Sequence, residues 1–360
     1  MNIKEKIGQL IAVGVNGALS SDQEIIDFKK LVQNGSVGGV ILYRYNIVSP
    51  EQTKALIQDI QSAASSLPLF VMLDQEGGKV QRLNSQKGFE DTQSAKYVAD
   101  NMNLDEARSH YERLGEILKE AGFNFDFAPC VDLDGDPQCP AIGKIERSYS
   151  SDSEKVVQYA ESMIEGLGRK GVLSCIKHYP GHGRVSEDSH VGLVDITRTW
   201  SEEELEPFKQ IISDGAADSV MTAHLMHLGI DPDNPVTFSK KWIDKLRNEM
   251  GFDGVIVTDD LHMGAMIKNY SLKKVVINAL KAGADLLIFS NNPLAAKATG
   301  IRHDETTGVV VSEDGSWIVP DPNLPEKITS IVEEALNSGE LDVALIDNAV
   351  RRVLKLKGRI

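Results

Sequence analysis

Val255-Ile256-Val257-Thr258-Asp259-Asp260 is a β-branched apolar run that ends abruptly in two carboxylates, and the same plan recurs along the chain. Val71-Met72-Leu73 gives Asp74-Gln75-Glu76, and Phe127-Ala128-Pro129-Cys130-Val131 gives Asp132. Ser174-Cys175-Ile176 gives Lys177-His178, and Val220-Met221-Thr222-Ala223 gives His224. Short apolar runs of this kind are what strands of a buried parallel sheet look like. There are eight: Ile11–Val15, Val37–Tyr43, Leu69–Asp74, Asn124–Asp132, Val172–His178, Ser219–Leu225, Val255–Asp259 and Asp285–Ser290. Between them, Asp22–Gln33, Pro50–Ser65, Leu104–Ala121, Ser153–Arg169, Ser201–Asp214, Lys240–Met250 and Leu272–Ala282 carry apolar residues at helical spacing and often open on a Ser or Asp cap.

Strand and helix in alternation predict βαβ units, and eight strands are the number that closes a (β/α)8 barrel. The expectation is a single α/β domain over residues 1–360, a TIM-like barrel. A doubly wound open sheet is the rival, but no Gly-x-Gly-x-x-Gly turn follows the first strand to support it. In a closed parallel barrel the polar ends of the five runs above meet at one rim, where such folds place their active sites. After the eighth run the pattern breaks. Thr299 to Pro325 contains Val309-Val310-Val311, then Glu313-Asp314-Gly315-Ser316, then Trp317-Ile318-Val319, which reads as an inserted β-hairpin turned by Asp-Gly. Helices over Glu326–Asn337 and Asp342–Lys357 are expected to close the chain, the second rich in Lys and Arg as suits a helix C-terminus.

The composition excludes several kinds of partner. Across 360 residues there are 38 Lys plus Arg against 53 Asp plus Glu, a net charge of −15, which repels nucleic-acid phosphates and anionic lipid. The opening Met1-Asn-Ile-Lys-Glu-Lys scatters charge and shows no secretory signal, and no apolar run reaches membrane-spanning length. Cys130, Cys139 and Cys175 are odd in number and form no Cys-x-x-Cys pair, as suits free thiols in a reducing compartment. The expectation is a cytoplasmic enzyme, monomer or homodimer, with no nucleic-acid or membrane partner.

The densest chemistry lies between Ile176 and Gly192, where a glycine-bracketed loop carries Lys177, His178, His182, Glu187, Asp188 and His190. Asp188 and His190 are two residues apart, which in an extended loop puts both side chains on one side. A carboxylate accepting from one imidazole nitrogen fixes the tautomer and raises the basicity of the other, making a proton shuttle. Asp259 is the second candidate. Strand alternation predicts that only one of Asp259 and Asp260 faces the barrel mouth, and the pattern does not say which. A histidine acid/base facing a carboxylate nucleophile suits displacement at an acetal carbon. His178, His182, His190 and His224 with Asp259 could instead ligate zinc, but Pro180 and Gly181 keep His178 and His182 from sharing a helix face, and no His-x-His follows the first strand. The reading therefore includes no metal and no cofactor.

These motifs resemble glycoside hydrolase family 3, and in particular its single-domain bacterial β-N-acetylhexosaminidases. The resemblance runs from Ile7-Gly8-Gln9-Leu10 nearly to Arg351-Arg352-Val353-Leu354, interrupted by 299–325. It is carried by Asp74-Gln75-Glu76-Gly77-Gly78-Lys79-Val80-Gln81-Arg82-Leu83, Asn124 to Pro129, Lys177 to Gly183, Asp188-Ser189-His190 and Gly251 to Leu261. The resemblance implies that Asp259 is the nucleophile of a retaining double displacement, with His190 as acid/base and Asp188 as its partner. It further implies that Asp74, Arg82, Arg147, Lys177 and His178 bind the sugar through charge-assisted hydrogen bonds. Lys177 and His178 are sequence neighbours, so both reaching one sugar requires irregular backbone there.

The sequence departs from the family pattern in three places: Gly88 to Ala95 carries Glu90 and Thr92 where Thr and Pro are frequent, the segment Gly143–Tyr149 around Arg147 is a residue longer, and Arg184-Val185 replaces a frequent Asp-Thr. The implied activity is an exo-acting β-N-acetylglucosaminidase that takes small GlcNAc-terminated oligosaccharides, first among them peptidoglycan-recycling fragments and then chitin oligosaccharides. A phosphorylase or β-glucosidase on the same fold is the alternative within the family. A non-catalytic sugar-binding barrel is the alternative from another class.

Overall fold

The computed structural model describes residues 1–65, 67–185, 193–291, 310–311 and 318–360. Its strands are β1 (Ile11–Gly14), β2 (Gly39–Ile41), β3 (Phe70–Leu73), β4 (Phe125–Asp126), β5 (Leu173–Ser174), β6 (Ile176–Tyr179), β7 (Val194–Asp195), β8 (Ser219–Thr222), β9 (Leu225–Met226), β10 (Val255–Thr258), β11 (Leu287–Phe289), β12 (Val310–Val311) and β13 (Ile318–Val319). Apart from β12 and β13 every pairing is parallel, and helices lie between the strands, so the α/β class is as expected. One sheet runs β11-β1-β2-β3-β4-β5 and another β10-β8-β6. Isolated parallel bridges, Val257 to Leu286 and Cys130 to Lys177, span the edges between the two sheets.

Each residue of β1, β2, β3, β6, β8, β10 and β11 is buried, which explains why the strands read as continuous apolar runs and not as alternating ones. Phe70, Phe125 and Phe127 interlock edge to face with centroids 5.3 Å apart, the favoured geometry of ring quadrupoles. Burying each such ring stabilises the fold by roughly 1.5–3 kcal/mol.

The helices form where capping and amphipathicity agree. Leu104–Ala121 opens on an Asn103/Glu106 capping box and ends at Gly122, whose φ of 102° is open to glycine at little cost. It packs along Ser153–Arg169. The two closing helices, Leu324–Asn337 and Val343–Lys357, pack against Ile3–Gln9 near the chain start. Lys357 completes that contact from a buried position. Its ammonium donates to Gln9 Oε1 at 2.7 Å and the Gly38 carbonyl at 2.8 Å, and lies 4.8 Å from the Phe70 ring centre.

Some expectations change in detail, and one is only partly described. The fourth run, expected as strand over Asn124–Asp132, is regular strand only at Phe125–Asp126; Pro129 has no N–H to give the ladder, and beyond it the pairing continues as the isolated bridge of Cys130 with Lys177. The segment Ser201–Asp214 divides into a 3-10 turn, Glu202–Leu205, and a helix from Glu206 with Pro207 in its first turn. Of the inserted hairpin, only the antiparallel register Val310 with Val319 and Val311 with Ile318 falls within the described residues. Its Asp314-Gly315 turn lies outside them. On either side of that segment, Asn291 and Asp321 are joined twice: Asn291 Nδ2 donates to the Asp321 carbonyl at 3.0 Å, and the Asp321 amide donates to Asn291 Oδ1 at 2.8 Å.

Candidate active site

The C-terminal ends of β2, β3, β6, β8, β10 and β11 open onto one cavity of about 380 Å³. Asp74 follows β3, Lys177 and His178 belong to β6, and Asp259 follows β10; Arg82 and Arg147 reach in from the loops after β3 and β4. All six sequence-predicted site residues within the described chain therefore line the same space. Asp188 and His190 lie outside the described residues. The stem leading to them is held closely: a Cβ on Gly183 would stand 1.7 Å from the Leu133 carbonyl oxygen, so only glycine fits.

The polar side chains form a continuous ion-pair chain. Arg82 Nη2 donates to Asp74 Oδ2 at 2.8 Å, and Lys177 Nζ lies 2.9 Å from Asp74 Oδ1 and 2.6 Å from Glu76 Oε1. Arg147 grips Glu76 from two nitrogens, Nε to Oε2 and Nη2 to Oε1, each at 2.7 Å. Its Nη1 donates to the Ala141 carbonyl at 2.9 Å. Burial works to raise the Asp74 pKa, but Lys177 and then Arg82 outweigh it and hold the carboxyl at about 2. For Glu76 burial is likewise overcome, by Arg147 and then Lys177, and the group stays well below the usual carboxylate range. Both carboxylates are therefore ionised wherever the protein is folded near neutral pH.

Arg147 Nη2 also lies 3.0 Å from His178 Nε2. A guanidinium only donates, so Nε2 must accept, and the ring proton sits on Nδ1, which donates to Asp132 Oδ2 at 2.7 Å. Asp132 is fully buried and additionally accepts the amides of His178 at 3.2 Å and His182 at 2.8 Å through Oδ1. Burial would raise its pKa, but the His178 ring held against it outweighs this, leaving it at about 2. His182 packs edge-on to His178, and burial, followed by His178, lowers it to about 4. Beneath this stem Glu204 accepts the Gly183 amide at 3.3 Å, and burial, then the Asp132 charge, raises it to about 7.

The β6 backbone accommodates two neighbouring residues in one cavity. Its pairing with β8 shifts register between Ile176 and Tyr179, and the Lys177–His178 peptide is cis. The register shift takes this segment out of strand alternation. Alternation fails at Asp259 and Asp260 as well, where one of the pair was expected to turn away. Both line the cavity, because β10 ends at Thr258 and the two aspartates lie beyond its ladder. Their surroundings differ. Asp260 Oδ1 accepts the amides of Ser290 at 2.7 Å and His262 at 3.0 Å, while its own amide donates to Asp259 Oδ1 at 2.8 Å. Burial raises the Asp260 pKa.

The remaining strand-end groups stand behind the cavity. Asp132 backs His178, and His224 is engaged at both ring nitrogens, with Nδ1 2.8 Å from Thr237 Oγ1 and Nε2 3.0 Å from the Asp260 carbonyl. Among the described residues Cys130, Asp132 and His178 stand close enough to share a metal ion. The donor set does not suit one. A metal on His178 Nδ1 would force a proton onto Nε2, against the Arg147 donor, and Cys130 already donates to Asp132 Oδ2 at 3.1 Å. Glu76 and Asp132 are the members of this network that sequence reasoning did not assign. Both were visible as strand-end carboxylates, but their partners lie 71 and 46 residues away.

The model for the glycosyl hydrolase family 3 N terminal domain matches residues 2–356. The chain is 35% identical over 298 residues to a β-hexosaminidase of Tolumonas auensis, covering 80% of this chain and 87% of the relative. Among solved structures, the β-N-acetylhexosaminidase of Beutenbergia cavernae superposes with a TM-score of 0.84 at 28% identity and covers 99% of each chain. A family 3 β-N-acetylglucosaminidase of Paenibacillus superposes with a TM-score of 0.85 at 32% identity; the match covers 100% of this chain and 62% of that one.

Proposed function

The chain belongs to glycosyl hydrolase family 3 and is a glycoside hydrolase, and from that premise we propose that it is a retaining exo-β-N-acetylglucosaminidase acting on small oligosaccharides. The observation that carries this reading is the meeting of Asp259 with Asp74, Arg82, Arg147, Lys177 and His178 in one cavity. A neutral sugar presents hydroxyl and amide groups that both donate and accept, and this cavity offers an ionised acceptor, Asp74, beside three cationic donors whose positions are set by ion pairs. The relatives named for hexosaminidase activity support the N-acetylhexosamine specificity.

In this reading Asp259 attacks the anomeric carbon and forms a glycosyl-enzyme, and water then releases the sugar with retained configuration. His190, partnered by Asp188, protonates the leaving oxygen in the first step and takes a proton from water in the second. Asp260 supports Asp259 by donating its amide. The whole fold is read as a (β/α)8 barrel, supported by the parallel order of the two sheets and by the bridges across their edges. The three cysteines are free, as suits the cytoplasmic location proposed with it, and peptidoglycan fragments are the proposed natural substrate.

The test is turnover of an aryl N-acetyl-β-glucosaminide, with the anomer of the first-formed sugar read by NMR. The β-anomer is expected, and Asp259→Ala should abolish turnover in a protein that still melts cooperatively. Near-normal activity in that variant would end the nucleophile assignment. The α-anomer as first product would end the double displacement.

A further inference from the structure

Glu76 is buried behind the cavity wall and is not part of its lining, whereas the two cations it binds are. An Arg beside a Lys on a cavity wall is ordinarily a receptor for carboxylate or phosphate, because the guanidinium edge matches two oxygens at once. Here that edge is taken. Of the five N–H groups of Arg147, Nε and one on Nη2 serve Glu76, the other on Nη2 serves His178, and one on Nη1 serves the Ala141 carbonyl. Lys177 gives one proton to Asp74 and one to Glu76. Each cation thus has one N–H left for the cavity, a single-point donor suited to a hydroxyl or amide oxygen.

The charge balance points the same way. Arg82, Lys177 and Arg147 face Asp74 and Glu76, with Asp259 across the cavity. Asp126, fully buried nearby, does not add to the count, because burial pushes it well above the carboxylate range. Without Glu76 the cations outnumber the carboxylates of their own cluster by two, and the fork of Arg147 is open.

We propose that Glu76 is a specificity-determining residue: by occupying the Arg147 fork and one Lys177 proton, it keeps the cavity for neutral sugars and closes it to sugars bearing a carboxylate or phosphate. This rests on the reading that the cavity takes a neutral N-acetylhexosamine. The conservative change is Glu76→Gln, which keeps the shape and removes the charge. The full chain is titrated with two probes, N-acetylglucosamine and inorganic phosphate, by calorimetry, so the readout does not depend on turnover.

The expected result is a phosphate Kd at least tenfold tighter in Glu76→Gln than in the natural chain, with N-acetylglucosamine bound several-fold more weakly. Phosphate affinity that is unchanged or weaker overturns the proposal, since a purely structural role loosens both ligands alike. Should Glu76→Gln fail to melt cooperatively, Glu76→Met, which fills similar space and offers the Arg147 fork no acceptor oxygen, takes its place, and the same tenfold gain for phosphate is expected; its absence overturns the proposal equally. A natural chain that binds no N-acetylglucosamine would sink the functional reading, while the phosphate comparison still decides the role of Glu76.

Discussion

Replacing Asp132 with Asn isolates the proton that sets one wall of the cavity. In the Asp132→Asn variant the amide oxygen can keep the two backbone N–H groups of His178 and His182, which reach Asp132 Oδ1 at 3.2 and 2.8 Å in the natural chain. Those two donors force the new amide nitrogen into the place of Oδ2. That nitrogen then faces His178 Nδ1 at the 2.7 Å contact, where the natural chain has a carboxylate oxygen. A donor there requires Nδ1 to accept, so the ring proton must move to Nε2. Nε2 in turn meets Arg147 Nη2 at 3.0 Å, donor against donor. A single neutralisation therefore breaks a contact on the far side of the imidazole ring.

The magnitudes follow from the same bonds. Losing one hydrogen bond to a charged group costs about 1.5–3 kcal/mol, and each 1.4 kcal/mol is about tenfold, so KM for an aryl N-acetylglucosaminide should rise between about tenfold and a hundredfold. The chemical step should suffer less, because the attacking group proposed here is Asp259, on another strand. Stability should fall too. A carboxyl held at about 2 instead of its ordinary 3.8 contributes about 2 kcal/mol at neutral pH. In sign, a depressed acid stabilises above its unfolded pKa, and the contribution is lost as pH falls through the folded value. The variant is in effect acidified at this one position.

The assay pairs steady-state kinetics with 15N NMR of the His178 ring. Expected are a protonated Nδ1 in the natural chain and a protonated Nε2 in the variant. A folded variant whose ring keeps its proton on Nδ1, or whose KM stays within about twofold, would refute the tautomer argument.

His190→Ala should slow substrates with poor leaving groups far more than activated aryl glycosides, because only the former need a proton on the departing oxygen; equal losses on both would remove His190 from the acid/base role. Lys357→Met should stabilise the protein near neutral pH. Burial lowers the Lys357 pKa from 10.5 to about 7, so between those values the unfolded chain binds the extra proton and stability rises with pH. That shift is worth up to about 5 kcal/mol, offset by about 1 kcal/mol for each of the two hydrogen bonds lost. Urea unfolding at pH 6, 7.5 and 9 should show a steeper gain with pH in the natural chain than in the variant, and parallel profiles would refute it.

Much of the site was legible because strand ends are where a buried parallel sheet can tolerate charge. The apolar runs located Asp74, Lys177, His178 and Asp259, and the structure brings all four to one cavity with Arg82 and Arg147. What the apolar pattern by itself hid, and only the family resemblance suggested, was which carboxylate serves the cavity and which serves its neighbours. Asp74 and Glu76 sit two apart after one strand, yet Asp74 lines the cavity and Glu76 does not, because Arg147 arrives from 71 residues away to hold Glu76 back. The short helix Ile3–Gln9 is not among the expected elements, although its Asn2/Glu5 capping box is a local signal. Nor is Ala95–Asn101, despite Ser94 at its N-cap.

The aspartate pair after β10 shows the same division within two consecutive residues. Once the ladder ends at Thr258, side-chain direction is no longer set by alternation, and the neighbouring backbone decides the roles. Asp260 Oδ1 is engaged by two amides from separate loops, Ser290 after β11 and His262 in its own turn, which fixes the carboxylate in place. Attack through that oxygen would break both bonds. Asp259 Oδ1 receives the amide of Asp260, a donor that moves with it, and in the proposed reading the first of the pair is the attacking group. Asp260→Asn should therefore disturb the β10–β11 junction and lower activity through position, leaving a residual turnover that Asp259→Ala does not leave.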